Sequence, residues 1–222
     1  MKRRWTLGAF ILFAGFQMAS AQFIANKGLR AGVALSNQSY LFTPIEYLME
    51  TDPIFSPSLV LFAEAFKGND FSLRTDLAFA CRGSSTKTQS VLVNHLDGDR
   101  ITVSEGEKVS SRHRYLSLAP MLRARTKSGG FTPYALIGPR LDMLLYYSSQ
   151  SAYPLEQQNR FILGLSMGVG MEFSMSQRVL LVEIQYQPDL STVLNTAPLH
   201  ISNNSLVLTV GLSFGSSHSQ RK

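Results

Sequence analysis

The stretch Asn204-Ser205-Leu206-Val207-Leu208-Thr209-Val210-Gly211-Leu212-Ser213-Phe214 sets a pattern that recurs through the chain. Its even-numbered residues from position 206 onward are all large and apolar, whereas its odd-numbered residues are polar or small, apart from Val207. A repeat of two residues is the period of a β-strand, not of a helix. The stretch therefore predicts a strand that has an apolar medium on one face and a polar one on the other.

Seven further segments follow the same alternation. The segment 58–66 is ambiguous, because Val60 and Phe62 share a face with Glu64. Together the predicted strands are 28–36, 58–66, 71–82, 115–125, 131–147, 161–173, 180–187 and 204–214. An even number of antiparallel strands brings both chain ends to the same side of a barrel.

The connections between these strands alternate in length. Three are short and rich in turn-forming residues, namely 67–70, 126–130 and 174–177, and four are long, namely 37–57, 83–114, 148–160 and 188–203. Within 83–114, the stretches 90–93 and 100–103 flank 94–99, so a hairpin can extend these strands beyond a membrane. The sequence predicts an all-β fold, an eight-stranded antiparallel up-and-down transmembrane β-barrel with short periplasmic turns and long extracellular loops.

The first 21 residues have the features of a secretory signal peptide. Lys2, Arg3 and Arg4 precede an apolar run over 5–16, and a small-residue cleavage site predicts cutting between Ala21 and Gln22. The apolar run is shorter than the roughly 20 residues that a membrane-spanning helix needs, which disfavours a retained anchor. The predicted organisation is a signal peptide over 1–21 and a single barrel domain over 22–222.

Composition limits the class of protein. Hydrophobic residues make up 45% of the chain and its mean hydropathy is +0.03, which argues against disorder and against a bundle of membrane helices. Removing the three basic residues of the signal peptide from 21 leaves 18 against 15 acidic ones, a surplus that does not indicate nucleic-acid binding. The single Cys81 cannot form an internal disulfide.

Two observations favour a membrane barrel over a soluble ligand-binding barrel, which would point its apolar faces inward. The polar faces carry small residues, as in 164–170, which suit a crowded lumen better than a wet surface. Aromatic residues on the apolar faces gather at the short-turn ends and predict a periplasmic-side girdle of Phe71, Phe131, Phe173 and Phe214.

The polar faces carry many charges that a barrel would enclose. Eight strands surround an interior just wide enough for side chains, so we expect these charges to pair as a structural polar core. A narrow conduction path or a binding site remains open as an alternative. The predicted luminal residues are Arg30, Glu64, Arg74, Asp76, Arg82, Arg123, Arg125, Arg140, Asp142, Glu172 and Glu183.

Signals of catalysis are weak. His95, Asp97, Asp99 and Ser104 could form a nucleophile-and-base set or a metal site, but Asp97-Gly98 is an ordinary turn signal on a long loop. No phosphate loop, dinucleotide fingerprint or Cys/His zinc spacing occurs in the sequence. We therefore predict no catalytic residues, no metal and no cofactor.

Several segments resemble the PorT-like outer-membrane β-barrel family, and the resemblance covers nearly the whole chain after the signal peptide. They are Gly28 to Val33, Tyr115 to Leu122, Pro133 to Leu141, Gly164 to Gly170 and Leu208 to Phe214. The resemblance implies an eight-stranded barrel of a Bacteroidetes-type Gram-negative envelope, and the namesake of the family is associated with type nine secretion and gliding. Unlike many outer-membrane proteins, this chain continues past its last aromatic residue, with 215–222 after Phe214.

The sequence thus predicts a non-enzymatic integral protein of the cell outer membrane, exported with a cleaved signal peptide. The expected partners are outer-membrane lipid, the barrel assembly machinery and other envelope or secretion proteins, but no nucleic acid. A structural or adhesive barrel without a transport role is the main alternative. A lipid-modifying barrel enzyme and a soluble ligand-binding barrel are more distant alternatives.

Overall fold

The computed structural model describes residues 24–42, 47–49, 51–66, 68, 70–94, 100–126, 130–149, 159–175, 178–196 and 199–215. Ten strands account for most of them: β1 Ile24–Phe42, β2 Tyr47–Met49, β3 Asp52–Ala65, β4 Phe71–Asn94, β5 Arg100–Arg125, β6 Phe131–Ser149, β7 Phe161–Ser174, β8 Val179–Pro188, β9 Leu194–Thr196 and β10 Leu199–Gly215. In this part of the chain no helix is long and apolar enough to cross a membrane.

Eight of these strands form a closed antiparallel barrel. Each pairs with its neighbour in chain order, and β1 pairs with β10 from Asn26↔Gly215 to Phe42↔Leu199, which closes the sheet. The three-residue strands β2 and β9 add to the ends of β1 and β10, away from the chain termini. The predicted fold class is confirmed.

The strands on the long-connection side extend much further than predicted. We predicted a loop over 83–114, but β4 and β5 pair from Cys81↔Arg114 to Asn94↔Arg100, with one register shift after Lys87. The long connection therefore contains the extending hairpin that the sequence predicted, and the hairpin takes up more of it than the stretches around 94–99 indicated. Apolar and polar side chains alternate along a strand only where its two faces meet different media. A two-stranded ribbon with water on both faces is held by its backbone hydrogen bonds and needs no such alternation.

Along most of each strand, side chains alternate between the barrel interior and its outer surface. On β3, Val60 and Phe62 are buried inside with Glu64, while Leu59 and Leu61 are exposed on the outside, which settles the ambiguity of this strand. The large apolar residues exposed to the outside occur on every long strand, so the barrel is apolar outside and polar inside. This distribution is that of a membrane barrel and the reverse of that in a soluble one.

Prolines interrupt the seam between β5 and β6. The β5–β6 register runs to Leu118↔Leu141 and resumes at Leu122↔Ile137, and in between Pro120 stands opposite Pro139. Because proline has no N–H, neither residue can donate to the ladder there. The two prolines therefore explain the break in this seam.

Candidate functional site

Twelve charged side chains point into the barrel lumen in the described part of the chain. Eleven are at most 5% exposed, and Glu172 is 14% exposed. They form three layers along the barrel axis, each with two arginines and two carboxylates, so every layer is neutral. The layers are Arg123, Arg125, Glu64 and Glu172 at the short-turn end; Arg30, Arg74, Asp76 and Glu183 in the middle; and Arg82, Arg140, Asp142 and Asp189 toward the β4–β5 hairpin.

Glu183 is the centre of the middle layer. Arg74 donates to both of its carboxylate oxygens, at 2.7 and 2.8 Å, and the Tyr134 hydroxyl donates at 2.6 Å. Arg30 also pairs with Glu183 and with Asp76. Two arginines therefore share two carboxylates, and the four residues come from the three strands β1, β4 and β8. Charged groups removed from water are stable only when paired and hydrogen-bonded in this way.

The short-turn end is organised by Glu64. Its carboxylate accepts hydrogen bonds from Asn26 Nδ2 at 2.8 Å and from Ser72, and it lies 3.4 Å from Nη1 of both Arg123 and Arg125. Arg123 also reaches Glu172, at 2.6 Å. This layer therefore ties β1, β3, β4, β5 and β7 together where the barrel is joined by short turns.

Asp189 completes the third layer. Arg140 donates to Asp142 at 2.8 Å and to Asp189 at 2.5 Å, and Arg82 pairs with the same two carboxylates. Asn203 donates to Asp189 at 2.8 Å from β10. Without Asp189 this layer would carry a net positive charge.

Aromatic rings lie against arginines of the short-turn layer and of the middle layer. The guanidinium carbons of Arg30 and Arg74 lie 5.8 and 5.6 Å from the Phe62 ring centroid. The Arg123 guanidinium carbon lies 3.8 Å from the centroid of Tyr134. These are distances at which a cation is attracted to an aromatic face.

Glycines on the inward faces make room for these side chains. A Cβ added to Gly170 would overlap the Tyr134 ring, one at Gly164 would overlap the Arg140 guanidinium, and one at Gly211 would overlap the Arg30 side chain. Small residues on the polar faces are therefore the complement of the large charged ones.

The interior is densely filled. A void of about 20 Å³, lined by Arg30, Asp76, Arg140 and small residues such as Ala78, lies between the middle and third layers. Such a void has room for about one water molecule. In the middle layer, the side chains of Arg74 and Glu183 have no surface accessible to water.

The four predicted girdle residues all lie at the short-turn end. Phe71, Phe131, Phe173 and Phe214 are exposed on the outer surface, and Phe131 stands directly opposite Phe173. Their position matches the level of a membrane interface on this side.

The sequence analysis missed two residues that line the lumen, and some residues that it singled out lie outside the part of the chain that the structure describes. Asp189 fell in the predicted connection 188–203, and Tyr134 shares the parity of Arg140 on β6, which was the available signal. The cleavage site Ala21–Gln22, the loop residues His95, Asp97 and Asp99, and the side chain of Ser104 lie outside the described residues. Within those residues, no three His, Cys, Asp or Glu side chains converge to hold a metal ion.

Comparisons with known proteins place this barrel in a family. No curated protein matches the sequence. Among solved structures, Neisserial surface protein A is 11% identical with a TM-score of 0.45, covering 85% of this chain and 96% of that one. Escherichia coli outer membrane protein W is 13% identical with a TM-score of 0.45, covering 87% of this chain and 98% of that one. The Escherichia coli outer membrane protease OmpT is 8% identical with a TM-score of 0.46, covering 86% of this chain and 96% of that one.

A family model for an outer membrane protein beta-barrel domain matches residues 17–195. This match covers most of the chain, including seven of the eight long strands. It also supports a location in the outer membrane. The chain belongs to the outer membrane protein beta-barrel domain family.

Proposed function

We propose that this protein is a non-enzymatic, closed barrel that serves in the outer membrane as a platform for other envelope proteins. The observation that carries the proposal is the filled lumen, with three neutral layers of buried ion pairs in series. Opening a passage would separate these buried pairs, and leaving a buried charge without its partner costs about 3–5 kcal/mol. Function then resides at the two ends and on the outer surface.

The β4–β5 hairpin is the feature that suits contact with a partner. β3 reaches β4 as far as Asp52↔Ser85, and β6 reaches β5 as far as Ser111↔Ser149. Beyond Ser85 and Ser110, the ladder partners of 86–94 and 100–109 in the described part of the chain are each other. At about 3.3 Å per residue this ribbon projects about 30 Å from the barrel, and its backbone edges are free to pair with another chain.

We further propose a role beside the type nine secretion machinery. This part rests on the resemblance of segments such as Tyr115 to Leu122 to the PorT-like family. The barrel-domain family to which the chain belongs does not by itself specify this role, since a fold does not specify a function.

Affinity purification of the tagged protein from native outer membranes tests both parts. We expect secretion components to be recovered with the full chain, and to be lost when residues 87–108 are replaced by a two-residue turn that leaves the barrel strands intact. Recovery of the barrel alone from wild-type membranes would refute the platform and favour the structural or adhesive alternative. Normal secretion in a deletion strain, with other partners recovered, would refute only the secretion role.

Conductance measurements test the closed lumen independently. In planar bilayers the wild-type protein should show no steady ion current. A stable open channel of reproducible conductance would contradict the closed barrel, whichever partners are recovered.

A further inference from the structure

A β-bulge at the hairpin end of β6 changes which way its side chains point. Tyr115 stands opposite Leu144, but the next residue on β5, Arg114, stands opposite Tyr146, so Leu145 is an extra residue on β6. Leu144 packs inside the barrel, and strict alternation would turn Tyr146 inward too. Because of the bulge, Tyr146 is instead 55% exposed on the outer surface.

The bulge places an aromatic ring against an exposed arginine. The Arg114 guanidinium carbon lies 5.2 Å from the Tyr146 ring centroid, on the outside of the barrel. On the inside, the next residue, Tyr147, lies 4.6 Å from the ring of His113. Bulges at barrel rims commonly change the direction of a side chain at a functional position. The bulge therefore indicates that the contact between Arg114 and Tyr146 has a function.

A second exposed arginine shares this outer face. Arg112 is two residues from Arg114 on β5, so the two Cα atoms are about 7 Å apart and both side chains point outward. The residues opposite them are Gly83 and Cys81 on β4, and Ser148 and Tyr146 on β6. In contrast to the luminal arginines, neither guanidinium forms an ion pair within the described part of the chain.

The position of these arginines along the barrel axis favours a lipid headgroup as their ligand. The next outward residues below Arg114 on β5 are Leu116 and Leu118, and Leu145 on β6 is 49% exposed. The pair therefore lies just above the apolar band, at the end with the long hairpin, where lipid headgroups of the outer leaflet begin. Guanidinium groups bind phosphate through paired N–H donors, and the Tyr146 ring holds one of them in place.

We propose that Arg112, Arg114 and Tyr146 form a binding site for the phosphate group of an outer-leaflet lipid. The phosphate of the lipid lies between the two guanidinium groups, next to Ser148, which stands opposite Arg112 on β6. The acyl chains of the lipid lie along Leu116 and Leu118. The site needs only an outer-membrane location, and does not depend on the platform or secretion role.

Native mass spectrometry of the full protein in detergent tests the site with bisphosphorylated lipid A and its dephosphorylated form. We expect the phosphorylated lipid to be retained, and Arg112→Gln with Arg114→Gln to weaken its binding by about tenfold or more. Tyr146→Leu should weaken binding by about threefold, whereas Tyr146→Phe, which keeps the ring, should not. All three positions are exposed, and heat-modifiable gel mobility checks that each variant is folded.

The control pair is Lys27→Gln with Arg178→Gln, which removes the same charge from exposed residues at the short-turn end. Arg178 also lies over an aromatic ring, that of Phe214, at 5.5 Å. This pair should bind the lipid within twofold of wild type. An equal loss in both pairs, equal binding of the dephosphorylated lipid, or displacement by an equal concentration of inorganic phosphate would each overturn the proposal.

Discussion

Replacing Glu183 by glutamine should destabilise the barrel more than most single substitutions. The change keeps the shape of the side chain but removes the carboxylate that Arg74 binds through two hydrogen bonds and that Arg30 also binds. Asp76 would then be the only carboxylate for two arginines in this layer. Leaving a buried charge without its partner costs about 3–5 kcal/mol, which lowers the folded-to-unfolded ratio by about a thousandfold.

Urea unfolding in detergent or lipid vesicles measures this loss. Heat-modifiable gel mobility and far-UV circular dichroism are suitable readouts, because the only tryptophan, Trp5, lies in the predicted signal peptide. The matched control is Asp70→Asn, the same carboxylate-to-amide change at an exposed turn position, which should stay within about 0.5 kcal/mol of wild type.

A double variant separates charge imbalance from lost packing. Adding Arg74→Gln to Glu183→Gln returns the middle layer to neutrality, so the two effects should not add, and the double variant should be more stable than the sum of the two single losses predicts. If Glu183→Gln unfolded at the same urea concentration as Asp70→Asn, the paired lumen would not be a source of stability and the reasoning would fail.

Two further predictions concern the inner and outer faces. Gly170→Ala places a methyl group into the Tyr134 ring and should cost about 1–3 kcal/mol in the free energy of unfolding, whereas Gly130→Ala, at a turn with open space around it, should be nearly neutral; equal unfolding midpoints would contradict the tight packing. Leu77→Arg, on the outer face, should destabilise the protein in lipid vesicles by about 2–4 kcal/mol and Phe71→Arg, at the rim, by at most about 1 kcal/mol, and no difference between them would argue against a membrane-facing surface.

The eight barrel strands were predictable because each separates two media. Wherever a strand has lipid on one side and a packed lumen on the other, its side chains must alternate, and segments such as 161–173 show this directly. The luminal charges followed from the same parity. Arg30, for example, shares the inward face of its strand with small residues, Glu183 shares that of its strand with Gln185, and both charged residues are buried in the structure.

The sequence analysis missed the parts of the structure where the alternation of inward and outward side chains along a strand gives no information. The extension of β4 and β5 was predicted only as a hairpin around 94–99, because the residues between that hairpin and Gly83 or Arg114 show no alternation that would reveal a continuous ladder. Asp189 lies just after the last regular residue of β8, and its role depends on Arg140 and Asn203 from distant parts of the chain. The bulge at Leu145 is a mismatch between two strands, which a pattern read along one strand cannot show.

The neutrality of each luminal layer determines where the charge of this protein can act. After removal of the predicted signal peptide, 18 basic and 15 acidic residues remain, and six of each point into the lumen among the residues that the structure describes. Because these twelve charges cancel, the surplus of three positive charges belongs to the other residues, which include Arg112 and Arg114. Since buried pairs cancel at short range, an approaching molecule experiences mainly this outer charge. This outer charge favours the binding of an anionic lipid phosphate that we propose for Arg112 and Arg114.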